Sequence, residues 1–181
     1  PANESDNLGH QLEKLYSVIV SRVRDTSTDL EVRQRGLHVF GVLLARTSGE
    51  GGRKFLSADH RFQGLSLLVD RLRNETTRLA AARAVDDVAV LAASEDDITP
   101  AWISDVTAEL GAQLRKSDRT LRGACLETLR SLAMNPITRA HYDSKALVNL
   151  ENFLLPLIAP EDLTLLGPAL IILAKIIPGN A

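Results

Sequence analysis

Residues 74–85, NETTRLAAARAV, decide how this chain folds, because their pattern occurs at three other places. The related stretches are DLEVRQRGLHVF from position 29, DRTLRGACLETL from 118 and DLTLLGPALIIL from 162, at spacings of 45, 44 and 44 residues. Arg33, Arg78 and Arg122 occupy one position of the pattern, and Leu166 replaces arginine in the last copy. A repeat of this length predicts an array of similar structural units.

Each copy carries apolar residues at helical spacing. A small residue stands three positions after the arginine position, and further apolar residues follow it by one, four and seven positions. This spacing predicts one buried stripe of a helix, and the small residue lets that helix approach its neighbour closely. The four sets are Gly36, Leu37, Phe40 and Leu43; Ala81, Ala82, Val85 and Val88; Cys125, Leu126, Leu129 and Leu132; and Ala169, Leu170, Leu173 and Ile176.

A second apolar stripe precedes each copy, as in Leu12, Leu15, Tyr16, Ile19 and Val23, so each unit is predicted to be a pair of helices. The expected N-caps of the second helices are Asp29, Asn74, Asp118, and Glu161 or Asp162. Because Pro168 lies inside the last helix, that helix either starts near Thr164, with the proline close to its first turn, or is kinked. Residues 48–60, 93–99 and 135–143 are loops by composition. The predicted helices span 8–24 and 29–46, 61–73 and 75–92, 100–115 and 118–134, and 144–158 and 162–177.

Two helices per unit and a period in the forties are typical of HEAT or armadillo repeats, and the Asp-x-x-Val-Arg turn at residues 29–33 favours HEAT. We therefore predict an all-α superhelix of about four HEAT repeats, at 8–46, 61–92, 100–134 and 144–177. The repeats form one array over residues 1–181, which we interpret as a piece of a longer solenoid.

The recurring arginines have a structural explanation in this fold. The planar guanidinium group can bond the turn of one repeat to the turn beside it, which predicts a ladder along the stack. The predicted ladder residues are Asp29 and Arg33, Asn74 and Arg78, and Asp118 and Arg122.

Composition excludes several classes of function. The chain has 21 Lys and Arg against 23 Asp and Glu, so its net charge of −2 has no positive excess to attract a nucleic acid. The single cysteine, Cys125, cannot form an internal disulfide, and no apolar stretch approaches the ~20 residues that cross a bilayer. We expect a soluble intracellular protein that binds neither nucleic acid nor membranes.

No motif predicts an enzyme, a metal site or a cofactor. The four histidines stand at no metal-ligand spacing from cysteines or carboxylates. Residues 48–54, SGEGGRK, lack the Gly-Lys-Ser/Thr ending of a phosphate-binding loop and follow no strand. Asp86, Asp87 and residues 95–97 lack the spacing of a calcium loop, so we expect them to be solvated.

A solenoid of this kind offers an extended face, lined by its second helices, on which a partner helix or domain can lie. If the apolar stripes point inward, the residues one step around each helix form this face. Arg24, Arg73 and Arg115 form another row at the ends of the first helices, where the helix dipole favours cations and an acidic partner could also bind. The candidate binding residues are Gln34 and His38, Arg83 and Asp87, and Glu127 and Arg130.

Three stretches resemble the cullin-associated NEDD8-dissociated (CAND) family of long HEAT solenoids. Residues 69–79, VDRLRNETTRL, are similar to that family's Leu-Glu-Arg-Leu-Lys-Asn-Glu-Ile-Thr-Arg-Leu run. Residues 29–35, DLEVRQR, resemble its Asp-Gln-Glu-Val-Lys-Glu-Arg, and residues 114–122, LRKSDRTLR, its Leu-Arg-Lys-Asn-Gln-Arg-Ala-Leu-Lys. The likeness covers roughly residues 11–133 and fades where Leu166 and Pro168 depart from the pattern.

The resemblance implies a central segment of such a solenoid, from the cytoplasm and nucleus. CAND proteins wrap around a cullin that lacks NEDD8, together with its RING subunit, and promote exchange of substrate-receptor modules without covalent chemistry. The segment lacks the family's N-terminal arch and C-terminal hairpin, so we expect that it cannot drive exchange alone. Its uncapped ends also predict self-association. The alternatives are a HEAT scaffold of another kind, such as a transport receptor or phosphatase scaffold, and a helical enzyme.

Overall fold

The computed structural model describes residues 2–158 and 163–177, with side chains described from residue 7 onward. Within these residues the chain forms helices and no strand. Two 3₁₀ turns, Glu95–Asp97 and Leu155–Ile158, add to the α-helices. In chain order the helices are α1 Ala2–Arg24, α2 Leu30–Arg46, α3 Glu50–Arg53, α4 Ala58–Arg73, α5 Arg78–Leu91, α6 Pro100–Gln113, α7 Arg119–Met134, α8 Pro136–Arg139, α9 Ser144–Leu154 and α10 Leu163–Ile176.

The long helices form hairpins that stack in chain order, as predicted. Helix α1 packs on α2, α4 on α5, α6 on α7, and α9 on α10. The second helices form one layer, in which α2 contacts α5, α5 contacts α7, and α7 contacts α10. In the other layer α4 contacts α6 and α6 contacts α9, while the Tyr16 hydroxyl of α1 donates to the His60 carbonyl oxygen of α4 at 2.5 Å. The predicted all-α superhelix is therefore confirmed.

The predicted apolar stripe is buried in the first three hairpins and partly exposed in the last. Leu126 of α7 is 1% exposed because α10 covers it, whereas Leu170, at the equivalent position of α10, is 46% exposed. No further helix of the described residues packs on that side of α10. The first-helix stripe is likewise wrong at Leu15, which is exposed at the opposite end of the array. Both exceptions lie at the two ends of the array formed by the described residues.

Two of the predicted N-caps are confirmed, and one is wrong. The carboxylate of Asp29 accepts a hydrogen bond from the Glu31 amide at 2.9 Å, and that of Asp118 accepts one from the Leu121 amide at 3.0 Å. Asn74 instead ends α4, and its side-chain oxygen accepts from the backbone amide and hydroxyl of Thr76. This local turn delays α5 until Arg78, three residues later than expected. The alternatives Glu161 and Asp162 lie outside the described residues.

Two predicted loops contain short helices. Residues 48–60 include α3 and the beginning of α4, whose N-cap Ser57 accepts a hydrogen bond from the His60 amide. Residues 135–143 include α8, where Asn135 is the N-cap and Pro136 opens the helix. Helix α10 begins at Leu163, one residue before Thr164, as predicted, and Pro168 lies in its second turn. None of the described helices has both the length and the apolarity needed to cross a membrane.

Small residues allow the second helices to approach neighbouring helices closely, both at the predicted position and at a second one. A Cβ atom built on Gly36 would lie 3.1 Å from Val23 Cγ2, so this small position faces the partner helix of its own hairpin. Two neighbouring second helices approach each other closely at Gly41, where a Cβ atom would lie 2.7 Å from Cα and Cβ of Ala84. The spacing of α2 and α5 therefore depends on Gly41.

We predict that Gly41→Ala lowers the free energy of unfolding by about 1–3 kcal/mol, because the added methyl group forces two packed helices apart. Gly123→Ala is the matched control, since a Cβ atom on that exposed helical glycine meets nothing within 4 Å. The control is expected to raise the free energy of unfolding by about 0.5–1 kcal/mol. Urea unfolding followed by circular dichroism measures both changes, and stabilisation by both substitutions would contradict the close contact.

Candidate protein-binding surface

The second helices carry two grooves on the face that points away from the first helices. The α2–α5 groove, between residues 31–39 and 79–83, has a volume of about 620 Å³. The α5–α7 groove, between residues 83–86 and 119–128, has a volume of about 410 Å³. Arg83 borders both grooves, so it stands on the ridge between them.

The structure brings most of the predicted binding residues to these grooves. Gln34, His38 and Arg83 line the α2–α5 groove, and Glu127 lines the α5–α7 groove. Arg130 lies beside the second groove and forms an ion pair with Glu127, with Nη1 and Oε1 2.7 Å apart. Asp87 borders neither groove and is half-buried on α5.

The charges beside the grooves differ in how they are compensated. Glu31 and Arg35 form an exposed pair at 2.5 Å, and the Gln34 side-chain amide donates to the Thr76 carbonyl oxygen at 3.1 Å. Arg83 is exposed and forms no ion pair with any described residue. Burial raises the pKa of the Asp86 carboxyl, and the nearby carboxylates of Glu127 and Asp87 act in the same direction.

Exposed apolar side chains continue the same helix faces beyond the grooves. Val42 lies about one turn after His38, Val90 about two turns after Arg83, and Met134 about two turns after Glu127. All three are exposed, and Val90 reaches 57%. The surface therefore combines apolar side chains with dispersed charges, which is the composition of a protein contact rather than of a small-molecule pocket.

Sequence analysis missed a buried polar cluster, the Asp97 cluster, at the junction of the first two hairpins. Asp97 is only 3% exposed, although we expected it to be solvated. Its carboxylate accepts hydrogen bonds from the Ser48 hydroxyl at 2.9 Å and from the Gly49 amide at 2.6 Å. It also lies 3.4 Å from Arg53 Nε and 3.8 Å from Arg61 Nε. A buried carboxylate of the protein thus occupies the turn that superficially resembles a phosphate-binding loop.

Arg61 is the buried cation of the Asp97 cluster. Its Nη1 donates to the Leu44 carbonyl oxygen at 2.9 Å, and its Nη2 donates to the Thr47 hydroxyl at 2.7 Å. Burial lowers the pKa of the Arg61 guanidinium, while the Asp97 carboxylate acts in the opposite direction. The cluster therefore joins the end of α2, the start of α4 and the segment after α5.

Comparison with known proteins decides the family. No family model matches the chain. It is 66% identical, over 177 residues, to a protein of Emericella nidulans described as the C-terminal part of cullin-associated NEDD8-dissociated protein 1. The matched region is 98% of this chain and 17% of that protein. The chain belongs to the cullin-associated NEDD8-dissociated (CAND) protein family.

More distant CAND relatives match a shorter region. Cullin-associated NEDD8-dissociated protein 1 of Arabidopsis thaliana is 35% identical over 119 residues, covering 65% of this chain and 9% of the relative. Cullin-associated NEDD8-dissociated protein 2 of Rattus norvegicus is 34% identical over 122 residues, covering 67% of this chain and 9% of the relative. The chain thus spans less than a fifth of the length of each of these relatives.

A solved structure supports the fold of this CAND segment. The crystal structure of an engineered protein superimposes with a TM-score of 0.57 over 92% of this chain and 62% of that protein. Their sequences are 20% identical, so the likeness concerns the fold alone.

The predicted arginine ladder of this CAND segment is wrong for Arg33 and Arg78. Arg33 Nε donates to the Thr28 carbonyl oxygen, and Arg78 donates to the carbonyl oxygens of Leu72 and Arg73. These acceptors belong to the same hairpin as the arginine. The two acceptors of Arg78 are carbonyl groups in the last turn of α4, where no helical N–H is available to bond them. A hydrogen bond between neighbouring turns comes from Gln34, whose side-chain amide donates to the Thr76 carbonyl oxygen.

The 44-residue period itself contains a signal for the missed cluster. Arg53, Asp97 and His141 are spaced by 44 residues, and they lie in successive connections between hairpins. Arg53 contacts Asp97, and His141 Nε2 lies 2.9 Å from the Glu95 carbonyl oxygen. Extending the pattern from the helices into the loops would have suggested that these loops touch.

The α2–α4 connection depends on the Asp97 carboxylate. We predict that Asp97→Asn lowers the free energy of unfolding by about 3 kcal/mol, because Arg61 would be left buried without a counter-charge. The neighbouring Asp96→Asn is the matched control, since the Asp96 side chain is 82% exposed and makes only an exposed ion pair with Arg53. Chemical unfolding measures both variants, and equal effects would contradict a special role for Asp97.

Proposed function

We propose that this chain is a non-enzymatic binding segment of a CAND protein, which contributes contact surface when the whole protein binds a cullin. The 66% identity to cullin-associated NEDD8-dissociated protein 1 over nearly the whole chain carries this proposal. The grooved face of α2, α5 and α7 supports it, because that face offers apolar and charged side chains over an extended area. In this proposal Gln34, His38, Arg83, Asp87, Glu127 and Arg130 belong to the contact surface.

The bound partner is a cullin that lacks NEDD8, together with its RING subunit. The whole CAND protein promotes exchange of substrate-receptor modules in the cytoplasm and nucleus. Residues 1–181 form a single central array, which supplies curvature and contact area and does not drive exchange by itself.

The chemistry of the described residues favours binding over catalysis. Burial raises the pKa of the Cys125 thiol to about 12, so it stays protonated and unreactive at neutral pH. Burial also raises the pKa of the Tyr142 hydroxyl to about 12. The described residues contain no group of three His, Cys, Asp or Glu side chains placed to hold a metal ion. Cys125 and Tyr142 therefore act as buried core residues of the scaffold.

The proposed function predicts a preference between two forms of the cullin. The full-length protein that contains this segment is mixed with a cullin–RING core, either unmodified or conjugated to NEDD8, and the complexes are sized by chromatography. We expect retention of the unmodified core alone. If the protein binds neither core, the proposed function is wrong. If it binds both cores equally, the proposed preference for a cullin that lacks NEDD8 is wrong.

We also propose that the isolated 181-residue chain self-associates through its two ends, which expose apolar residues. Leu170, for example, is exposed, although its interior equivalent Leu126 is buried. One end exposes Leu15, Val18 and Val32, and the other exposes Leu163 and Leu170. A head-to-tail contact between two copies would bury both sets and would be repeatable along a filament.

Self-association predicts that the average mass measured by sedimentation equilibrium rises with protein concentration. Leu170→Glu is expected to keep the chain monomeric, because a charge at the end face opposes its burial. Val90→Glu is the matched control, because Val90 is similarly exposed but lies on the grooved face. A monomeric wild-type chain at all concentrations, or equal effects of both substitutions, would contradict association through the ends.

A further inference from the structure

We propose that the α2–α5 groove binds one amphipathic helix of a partner protein, and that an acidic side chain of this helix pairs with Arg83. The inference rests on the proposed function, since it specifies where and how a bound protein touches the segment. It assigns Arg83 as the anchor of the contact and Val39 as part of its apolar floor.

The shape and lining of the groove suit the apolar face of a helix. Leu79 and Ala80 of α5 are half-buried, and Val39 of α2 is exposed on the other side. The volume of about 620 Å³ is sufficient for several side chains, and exposed Val42 extends the apolar surface one turn after His38. Apolar anchors spaced three or four residues apart on one partner helix fit a groove of this kind.

The charges in the groove favour a partner with a negatively charged side chain. Glu31 and Arg35 compensate each other at 2.5 Å, so neither adds a net charge to the groove. Arg83 is the remaining cation of the lining, and no described residue forms an ion pair with it. A carboxylate is the complementary group for this guanidinium, and the planar fork of arginine can bind it through two hydrogen bonds.

A nucleic acid is disfavoured as the occupant. Arg83 is followed on α5 by Asp86 and Asp87, and Glu127 lines the adjacent groove. A phosphate backbone needs a row of cations, whereas one carboxylate needs a single arginine.

The arginines at the ends of the first helices provide a weaker alternative surface, because Arg73 already pairs with Glu109 at 2.7 Å.

The first experiment measures the affinity of the full-length protein for the unmodified cullin–RING core by calorimetry. Arg83→Glu is expected to weaken binding about tenfold, since it replaces attraction at the groove with repulsion. Arg22→Glu is the matched control, because Arg22 is also exposed but lies on α1, in the outer layer and away from the groove. Val39→Asp, compared with Val148→Asp on the exposed face of α9, tests the apolar floor in the same way.

The second experiment tests the groove without a cullin. The probe is a synthetic amphipathic helix of about 20 residues with a leucine face and a central glutamate, and its counterpart carries glutamine instead. We expect the wild-type chain to bind the glutamate peptide several-fold more tightly than the glutamine peptide, and Arg83→Glu to abolish this difference. Circular dichroism of each variant establishes that the helices remain folded.

The outcomes separate the groove from the proposed function. Cullin binding that is unaffected by Arg83→Glu overturns the groove and leaves the function standing. Absence of cullin binding by the wild-type protein overturns the function, and the peptide result then decides the groove: a preference for glutamate that depends on Arg83 supports it, and no such preference overturns it.

Discussion

The contact between neighbouring second helices controls where the other elements of this solenoid lie. Gly41 leaves no room for a side chain against Ala84, so the backbones of α2 and α5 lie close together. The Thr128 hydroxyl of α7 donates to the Ala82 carbonyl oxygen of α5 at 3.1 Å, which also holds these two helices close together. Since each first helix packs on the second helix of its own hairpin, this spacing also sets the spacing of the outer layer. The two grooves lie between the same helices, so their positions follow from the same contact.

Polar side chains determine the register of one hairpin on the next. Apolar packing is non-directional and tolerates a small slide of one helix past another, whereas a buried donor needs its acceptor at a defined place. The Trp102 indole N–H donates to the Leu65 carbonyl oxygen at 2.9 Å in the outer layer. At the loop edge, Asp97 joins the first two hairpins, and the Asn135 side-chain amide donates to the carbonyl oxygens of Ala89 and Ala92. Buried polar bonds therefore recur at successive junctions.

The fold was predictable from the sequence because the same apolar spacing occurs in every repeat, and burial such as that of Phe40 and Leu129 follows from this spacing alone. The cap at Asn74 was not predictable, because asparagine bonds its own following residues as readily as it opens a helix. The partners of Arg78 and Asp97 depend on the distance between loops, which a pattern confined to the helices does not contain. For the binding surface, periodicity indicated the face of α2 and α5, but it could not show that Arg83 has no ion-pair partner among the described residues, because that depends on where side chains of other helices lie.

The arginines have different roles, and their contacts explain the differences. Arg61 and Arg78 are used within the fold, because buried carbonyl groups at helix ends need donors and a guanidinium supplies several. Arg35 faces solvent but is neutralised by Glu31 one turn earlier on the same helix. Arg83 has neither kind of partner among the described residues and stands between two grooves, where Asp86 and Glu127 are nearby but form no ion pair with it. An exposed cation in that position contributes little to stability, so its contribution is to the choice of what the surface binds.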